Sequence, residues 1–443
     1  MFIFCYDKNR RAMNVLVGFS DYMFRRIKDE RLWWRLAAQW RRGRRFASEM
    51  RGQKLEAKTQ GGKALIIPCD PWSVVGSRGD QAMILACIQR IRASHPGRVI
   101  DVMTDSHATD AECRALGLNP VADWNVPLDV WFPAHAAEYA EVYILGADVT
   151  DGVYGWPTAM KMLAYYDLFF RMGTEVHYLG FSWSRTPNLM MRRVLSQLGE
   201  NLPLLVRDPV SYQRLKNFTT HRPLVQVADV AFCLKHREST RVIEHRTWVE
   251  AQHAIGKTVI AINVHTMFND EETKSVDWER VFAAVLKKVQ ETHVDIRFLF
   301  LPHDNRPRVS DHAILKRLYA EFDITRTYLV DEVMDADEIK FLLGSCDGLI
   351  AGRMHISIAA LGQGVPVLGL VYQGKFEGLW QHFNLSEDTL MEPRVFMTDP
   401  SRAEESICAF IDNLQGLRMQ IARSIPKVLE LSKKNFQDLR SNL

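Results

Sequence analysis

The segment Ile350-Ala351-Gly352-Arg353-Met354-His355-Ile356, followed by Gly364-Val365-Pro366-Val367, carries the most distinctive chemistry in the sequence. A buried-type apolar run ends at Ala351 and a helical pattern begins near His355, so Arg353 and His355 stand at a strand-to-helix corner. A planar guanidinium and an imidazole beside the N–H groups of a starting helix suit an anionic ligand. The same two residues could form a salt bridge and a capping histidine, and the spacing leaves both open. Tyr372 and Lys375 follow the next apolar run, 365–371, and belong to the same edge.

Three further segments combine charge with a strand end, where open parallel sheets place their ligands. Gly76-Ser77-Arg78-Gly79-Asp80 precedes the helical stretch QAMILACIQRI. Its glycines would let backbone N–H groups approach an anion, although a tight turn with Asp80 capping a helix accounts for it equally. It has neither the Gly-Lys-Ser/Thr of a Walker loop nor a complete Gly-x-Gly-x-x-Gly. Gly146-Ala147-Asp148-Val149-Thr150-Asp151-Gly152 sets two carboxylates, Asp148 and Asp151, beside glycines. They could bind sugar hydroxyls or move a proton, or they could serve as Asx turns. Arg207-Asp208-Pro209 ends another apolar run, with Asp208 a natural N-cap and Arg207 directed to the crevice. His303, closing FLFLPH, is a fourth candidate for proton transfer.

The elements that must position these residues alternate along the chain. Short apolar runs near 64–68, 99–103, 142–146 and 175–180 are separated by helical patterns near 79–95, 109–116 and 157–172. The pattern restarts with runs at 258–263, 296–302, 327–330, 348–351 and 365–371, and helical patterns near 276–291, 310–322, 336–344, 355–363 and 375–383. Such alternation specifies parallel sheets covered on both faces. The expected fold is α/β, with two doubly wound Rossmann-like domains facing a cleft. Their spans are 63–240 and 241–390, joined near the polar stretch 235–256, with a helical tail at 391–443.

Residues 1–62 form a basic arm and linker, with 15 Lys/Arg against 6 Asp/Glu; the whole chain of 443 residues is only +3, so the body is mildly acidic. Ile27, Trp33, Trp34, Ala37 and Trp40 share one broad side of a helix over 22–42, opposite Lys28, Arg31, Arg35 and Arg42. Asp29 and Glu30 interrupt the apolar side and Gly43 weakens its continuation. Such a helix can lie in a membrane interface or dock on the body. The expectation drawn is peripheral contact through residues 20–50 with the cytoplasmic face of the inner membrane.

With 47% hydrophobic and 25% charged residues the chain is globular. No run reaches the ~20 apolar residues of a membrane span, and Asp7, Lys8, Arg10 and Arg11 break the apolar start of a secretory signal. Seven scattered cysteines without a Cys-x-x-Cys pair suit a reducing, cytoplasmic compartment and call for no metal cluster. Zinc-finger, helix-turn-helix and RNA-binding signatures are missing, which argues against a nucleic-acid partner.

Several segments, in order over residues 64–385, resemble the polysaccharide pyruvyltransferase family. GSRGDQAMILACI resembles its Gly-x-Gly-Asp opening, VRDPVSYQRL its Arg-Asp-x-x-Ser segment, VADVAFCL its Asp-x-Ala-Phe strand and FLFLPHD its Leu-Pro-His strand end. DEIKFLLGSCDGLIAGRMHISIAALGQGVPVLGLVYQGKFEGL matches its longest signature, with Arg-x-His, Gly-x-Pro and Tyr-x-x-Lys. Two departures are Ser77-Arg78 in the glycine loop and Ala147 in place of a glycine. The resemblance implies a GT-B-like fold and transfer of a pyruvyl group from phosphoenolpyruvate, as donor substrate without further cofactor, to a saccharide or its lipid-linked precursor. It implies donor anchoring by Arg207, Arg353, His355 and the backbone of Met354, with Tyr372 and Lys375 close by. Candidates for acid and base are His355, Asp80, Asp148 and His303. Gly76, Ser77, Arg78, Gly79 and Asp151 remain acceptor or loop candidates. A nucleotide-sugar glycosyltransferase and a non-catalytic anion-binding subunit are the alternatives that such a fold also accommodates.

Overall fold

The computed structural model describes residues 3–51, 62–219, 222–266, 278–306, 310–371 and 376–438, with side chains from residue 27 onward. The N-terminal sheet comprises β1 (Lys63–Ile67), β2 (Ile100–Met103), β3 (Asn119–Val121), β4 (Tyr139–Leu145) and β5 (Glu175–Leu179). Its order is β3-β2-β1-β4-β5, all parallel. A parallel pair, β6 (Leu204–Val206) and β7 (Leu224–Gln226), lies beside it through a bridge between Phe181 and Val206. The C-terminal sheet comprises β8 (Thr258–Asn263), β9 (Ile296–Phe300), β10 (Thr327–Leu329), β11 (Gly348–Ala351), β12 (Val367–Leu370) and β13 (Leu390–Met391). It runs β10-β9-β8-β11-β12-β13, again all parallel. Both sheets reverse their winding beside the first strand, which creates a crevice at the carboxyl ends of β1 and β4 and of β8 and β11.

Alternation along β1 shows how the core is divided. Ala64 and Ile66 face a cluster that runs on without interruption into the C-terminal domain. Leu65 and Ile67 face a second cluster built with the helix Trp156–Met172 and the arm. The period of two along a strand thus assigns one face of the N-terminal sheet to the domain seam and the other to the arm.

The arm is one helix, Ile3–Met50, and it docks. Trp33, Ala37, Trp40 and Ala47 are buried against the helices Leu128–His135 and Trp156–Met172. The Trp40 indole donates to Asp167 at 2.8 Å, which also accepts from Arg44 at 2.6 Å. Asp29 accepts from the Trp156 indole and Glu30 from Arg193, so the two acids that interrupt the apolar side are docking contacts. Gly43 does not end the helix: a Cβ there would stand 2.7 Å from Leu168 Cδ1, and its absence lets the helices close. This corrects the expectation that the tryptophan side faces a membrane, because Trp33 and Trp40 are committed to the body and Trp34 remains exposed.

The polar stretch expected as a join is largely the helix Thr240–Ala254. Arg237 and Arg241 bind it to Asp337 and Glu338. The tail forms the helices Pro400–Asp412 and Leu414–Lys433 on the C-terminal domain and then returns to the N-terminal one. There Asn435 accepts from the Gly180 amide at 2.7 Å and donates to Ala228 O, while Ser432 donates to Asp229 O.

Candidate active site

The loop after β1 is a seam between the domains. Ser77 bridges Asp304, the Arg78 amide donates to the His303 carbonyl, and the Asn305 amide donates to the Gly76 carbonyl. Ser77 also caps the helix Arg78–Ser94 by accepting from the Asp80 amide. Two expectations change as a result. Ser77, not Asp80, is the N-cap, and the Arg78 amide is spent on the other domain rather than offered to an anion. Arg78 itself is buried and donates to Val75 O at 2.6 Å, away from the cleft. Gly79 admits His355: a Cβ at 79 would lie 2.3 Å from His355 Nδ1 and 2.6 Å from Cγ.

A cleft of about 480 Å³ opens between the domains at this seam. From the N-terminal side Asp80 and Asp148 reach it; from the C-terminal side come His303, Arg306, Arg353 and His355. Arg353 follows β11 and precedes the helix Met354–Leu361, as its corner position requires. Its guanidinium donates through Nη1 to Asp304 and through Nε to Asp311, each at 2.9 Å. Asp311 further accepts the His303 and Asp304 amides and the Asn263 side-chain amide. Asp304 is shared with Arg306, whose guanidinium also approaches Asp70 of the other domain at 3.5 Å. The cationic wall is therefore fixed by buried carboxylates before any ligand arrives.

Titration follows from burial and neighbours. Burial and the nearby charge of Asp148 raise the Asp80 carboxyl to about 6, although His355, Arg306 and a hydrogen bond with Cys69 work in the opposite direction. Burial, with the positive charges of Arg353, His355 and Arg78, holds the His303 imidazole well below its ordinary range, so it is neutral. Burial would push Asp229 upward, but His355 and the Arg207 guanidinium keep it well below the usual carboxylate range.

Arg207 is enclosed rather than open to the main cleft. It donates to Asp229 and to Ser182, each at 2.9 Å, and touches Met354 Sδ at 3.7 Å. Asp229 Oδ2 in turn lies 3.7 Å from His355 Nε2, an ion-pair distance beyond a hydrogen bond. That imidazole nitrogen is buried and has no hydrogen-bond partner among the described residues. Arg207 thus reaches the cleft through Asp229 and His355.

The family model for polysaccharide pyruvyl transferase matches residues 78–374, two thirds of the chain. This chain belongs to that family. The fold agrees with GT-B enzymes. A putative UDP-N-acetylglucosamine 2-epimerase from Listeria monocytogenes superposes with a TM-score of 0.53 at 14% identity, covering 82% of this chain and 91% of that one. UDP-GlcNAc 2-epimerase from Neisseria meningitidis, bound to UDP-GlcNAc, gives a TM-score of 0.51 at 12% identity, covering 86% and 100% respectively. Identities this low speak for the fold alone. Comparison with curated proteins finds no significant match.

The matched span holds every element of the seam from Arg78 onward, together with Arg207, Arg353 and His355. The cleft gathers Ser77, Gly79, Asp80, Asp148, His303, Arg353, Met354 and His355 of the residues expected from the sequence. Asp151 stands apart, since its two oxygens accept the Val153 and Ser184 amides and fix a loop. Gly76 packs on Ser73 and Arg306 at the seam. Tyr372 and Lys375 lie outside the described residues. Among the lining residues that escaped the sequence reading are His265, Arg306 and Tyr154. His265 stands just past β8, so the strand-end rule that singled out Arg353 also covers it. Arg306 lies three residues after His303 and carried no signal of its own.

Proposed function

We propose that the cleft transfers the pyruvyl group of phosphoenolpyruvate to two hydroxyls of a saccharide, releasing inorganic phosphate and closing a cyclic ketal. The observation that carries this reading is the convergence at His355. Its imidazole lies on Gly79 beside Asp80, while Arg353 and Arg306 supply positive charge from the same domain. A donor bearing both a carboxylate and a phosphate needs such a cationic wall, and the start of the helix Met354–Leu361 adds a favourable dipole.

In the proposed reaction His355 donates a proton to the donor methylene, which becomes a methyl group. The first sugar hydroxyl bonds to C2 and gives its proton to Asp80, a carboxyl poised near neutrality between its two forms. The C2–O bond to phosphate then breaks, and the phosphate leaves against Arg353 and Arg306. The second hydroxyl bonds to C2 and gives its proton to the now neutral His355, while the proton held by Asp80 leaves with the phosphate, so the ketal closes and both groups return to their starting forms. The sum is a diol plus phosphoenolpyruvate giving a ketal plus phosphate.

The acceptor in this reading is a cell-surface polysaccharide unit or its lipid-linked precursor, met on the cytoplasmic side of the membrane. No helix among the described residues is long and apolar enough to cross a membrane. The test is incubation with phosphoenolpyruvate and a saccharide panel. The expected result is phosphate release matched by product heavier by one pyruvate less one water. Turnover of a nucleotide sugar without use of phosphoenolpyruvate would overturn the reading in favour of a glycosyltransferase. Tight donor binding without turnover would favour a non-catalytic subunit.

A further inference from the structure

The docked arm buries one side and turns a strongly basic side outward. With about 3.6 residues per turn, Lys28, Arg31, Arg35, Arg41, Arg42 and Arg45 fall within one half of the helix, opposite Trp33, Trp40 and Ala47. All six are exposed, and Ile27 and Trp34 are exposed among them. Glu49 is the one exposed acid on this side among the described residues. Among those residues the arm's ion pairs are Arg42 with Asp129, Arg44 with Asp167 and Glu30 with Arg193. Lys28, Arg31, Arg35, Arg41 and Arg45 therefore hold charge that these pairs do not use.

The surface continues from the arm to the mouth of the cleft. Glu30 accepts from Arg193 at 2.6 Å and Asp29 from the Trp156 indole at 3.2 Å, which sets the arm beside the helix Met190–Gln197 and the loop before Trp156. The Asn188 amide donates to the Asp151 carbonyl at 3.0 Å, and a Cβ at Gly152 would lie 3.0 Å from Met191, so that loop and the start of that helix are packed together. Leu189, 75% exposed, and Val153 and Tyr154, each more than half exposed, thus share the neighbourhood of Ile27 and of Trp34, which is 61% exposed. Single exposed apolar side chains are ordinary, whereas five gathered beside a row of arginines mark an interaction surface.

We infer that this surface lies against the headgroups of an anionic lipid bilayer. The arginines and Lys28 meet the negative headgroups, Trp34 and Tyr154 suit the headgroup level, and Ile27, Val153 and Leu189 enter the acyl boundary. The side that meets lipid is the reverse of the one the sequence suggested, since the tryptophan side is spent on the body. A nucleic acid would use the arginines and leave the aliphatic side chains in water, and a second copy of this face would bring like charge against like. Tyr154 also lines the main cleft, so the contact sets the cleft mouth at the bilayer. The binding goes beyond the pyruvyl transfer reading; its use, presenting a lipid-linked acceptor to the cleft, rests on that reading.

The test uses the full chain with neither phosphoenolpyruvate nor saccharide present. Co-sedimentation compares vesicles of equal parts phosphatidylglycerol and phosphatidylcholine with vesicles of phosphatidylcholine alone, at low ionic strength and at about 0.5 M salt. At low salt the anionic vesicles should be bound roughly tenfold or more tightly than the neutral ones, and high salt should release most of the protein. Arg31→Glu combined with Arg35→Glu should weaken binding to anionic vesicles roughly tenfold or more, and Trp34→Ala roughly 2–10-fold. These positions are exposed, so melting temperatures should stay at the wild-type value. No binding to anionic vesicles, equal binding to both vesicle types, or wild-type binding in both variants would each overturn the inference. A dimer that the double variant dissolves would assign the face to a second copy instead, and retention of duplex DNA at ionic strengths that release the vesicles would assign it to nucleic acid. Because no donor is present, a failure of pyruvyl transfer leaves vesicle binding standing by itself. Conversely, pyruvyl transfer to soluble saccharides without vesicle binding removes this surface alone.

Discussion

The imidazole of His355, from the C-terminal domain, lies on the backbone of Gly79, from the N-terminal domain, so closely that a methyl group at 79 would stand 2.3 Å from Nδ1. A glycine that reads as a phosphate-loop residue is instead the floor beneath a side chain from the other domain.

Gly79→Ala therefore displaces His355 rather than weakening a loop. The misfit should cost about 1–3 kcal/mol of stability. A shift on the order of 1 Å in a reacting group should lower kcat roughly 100-fold. Kinetics of phosphate release together with thermal denaturation check this. Wild-type kcat in a folded Gly79→Ala protein would show that the position of His355 is not needed.

Arg353 is tied to two buried carboxylates, Asp304 and Asp311. Arg353→Ala leaves both without this partner, so stability should fall by about 3–5 kcal/mol in addition to the loss of donor affinity. Arg353→Lys should restore part of the stability and little of the affinity, since an ammonium cannot reproduce the fork. Denaturant titration and the KM for phosphoenolpyruvate separate the two effects.

Asp80 titrates at about 6, above an ordinary aspartate. A raised folded-state value means that the fold favours the protonated carboxyl. That contribution is complete below about pH 4 and is lost as pH rises through about 6. Asp80→Asn should accordingly exceed wild type in stability at pH 8 by on the order of 1–3 kcal/mol, with the advantage fading below pH 4. The same variant should be inactive, having no proton acceptor. Stability curves against pH that run parallel for the two proteins would contradict the assignment.

Trp40 is 2% exposed and donates to Asp167. Trp40→Ala should cost about 3–5 kcal/mol. Removal of residues 1–60 should lower the melting temperature and promote aggregation, because the partners of Trp33, Trp40 and Ala47 become exposed. A truncated protein with wild-type stability would mean that the docked arm contributes nothing to the body.

Much of this architecture was legible in the sequence because buried parallel strands read as short apolar runs. The strands at 258–263 and 348–351 coincide with β8 and β11 to the residue. β3, Asn119-Pro120-Val121, was not legible, since an edge strand of three residues containing proline has no periodicity to detect. The corner at Arg353 and His355 was legible from a strand followed by a helix start. The roles of Gly79 and Arg207 were not, because each depends on a residue far along the chain: His355 for the first, and Asp229, then His355, for the second. The arm shows the same limit, since Asp29 and Glu30 look misplaced until Trp156 and Arg193 are seen to meet them.

The claim that the cleft transfers carbon rather than phosphorus is tested most directly with phosphoenolpyruvate labelled with oxygen-18 at the bridge between C2 and phosphorus. With an accepted saccharide present, the released phosphate and the ketal are weighed by mass spectrometry. Attack at C2 predicts that the label departs wholly with phosphate and that the ketal carries none. Label retained on the carbon product, or phosphate released with no ketal formed, would contradict it.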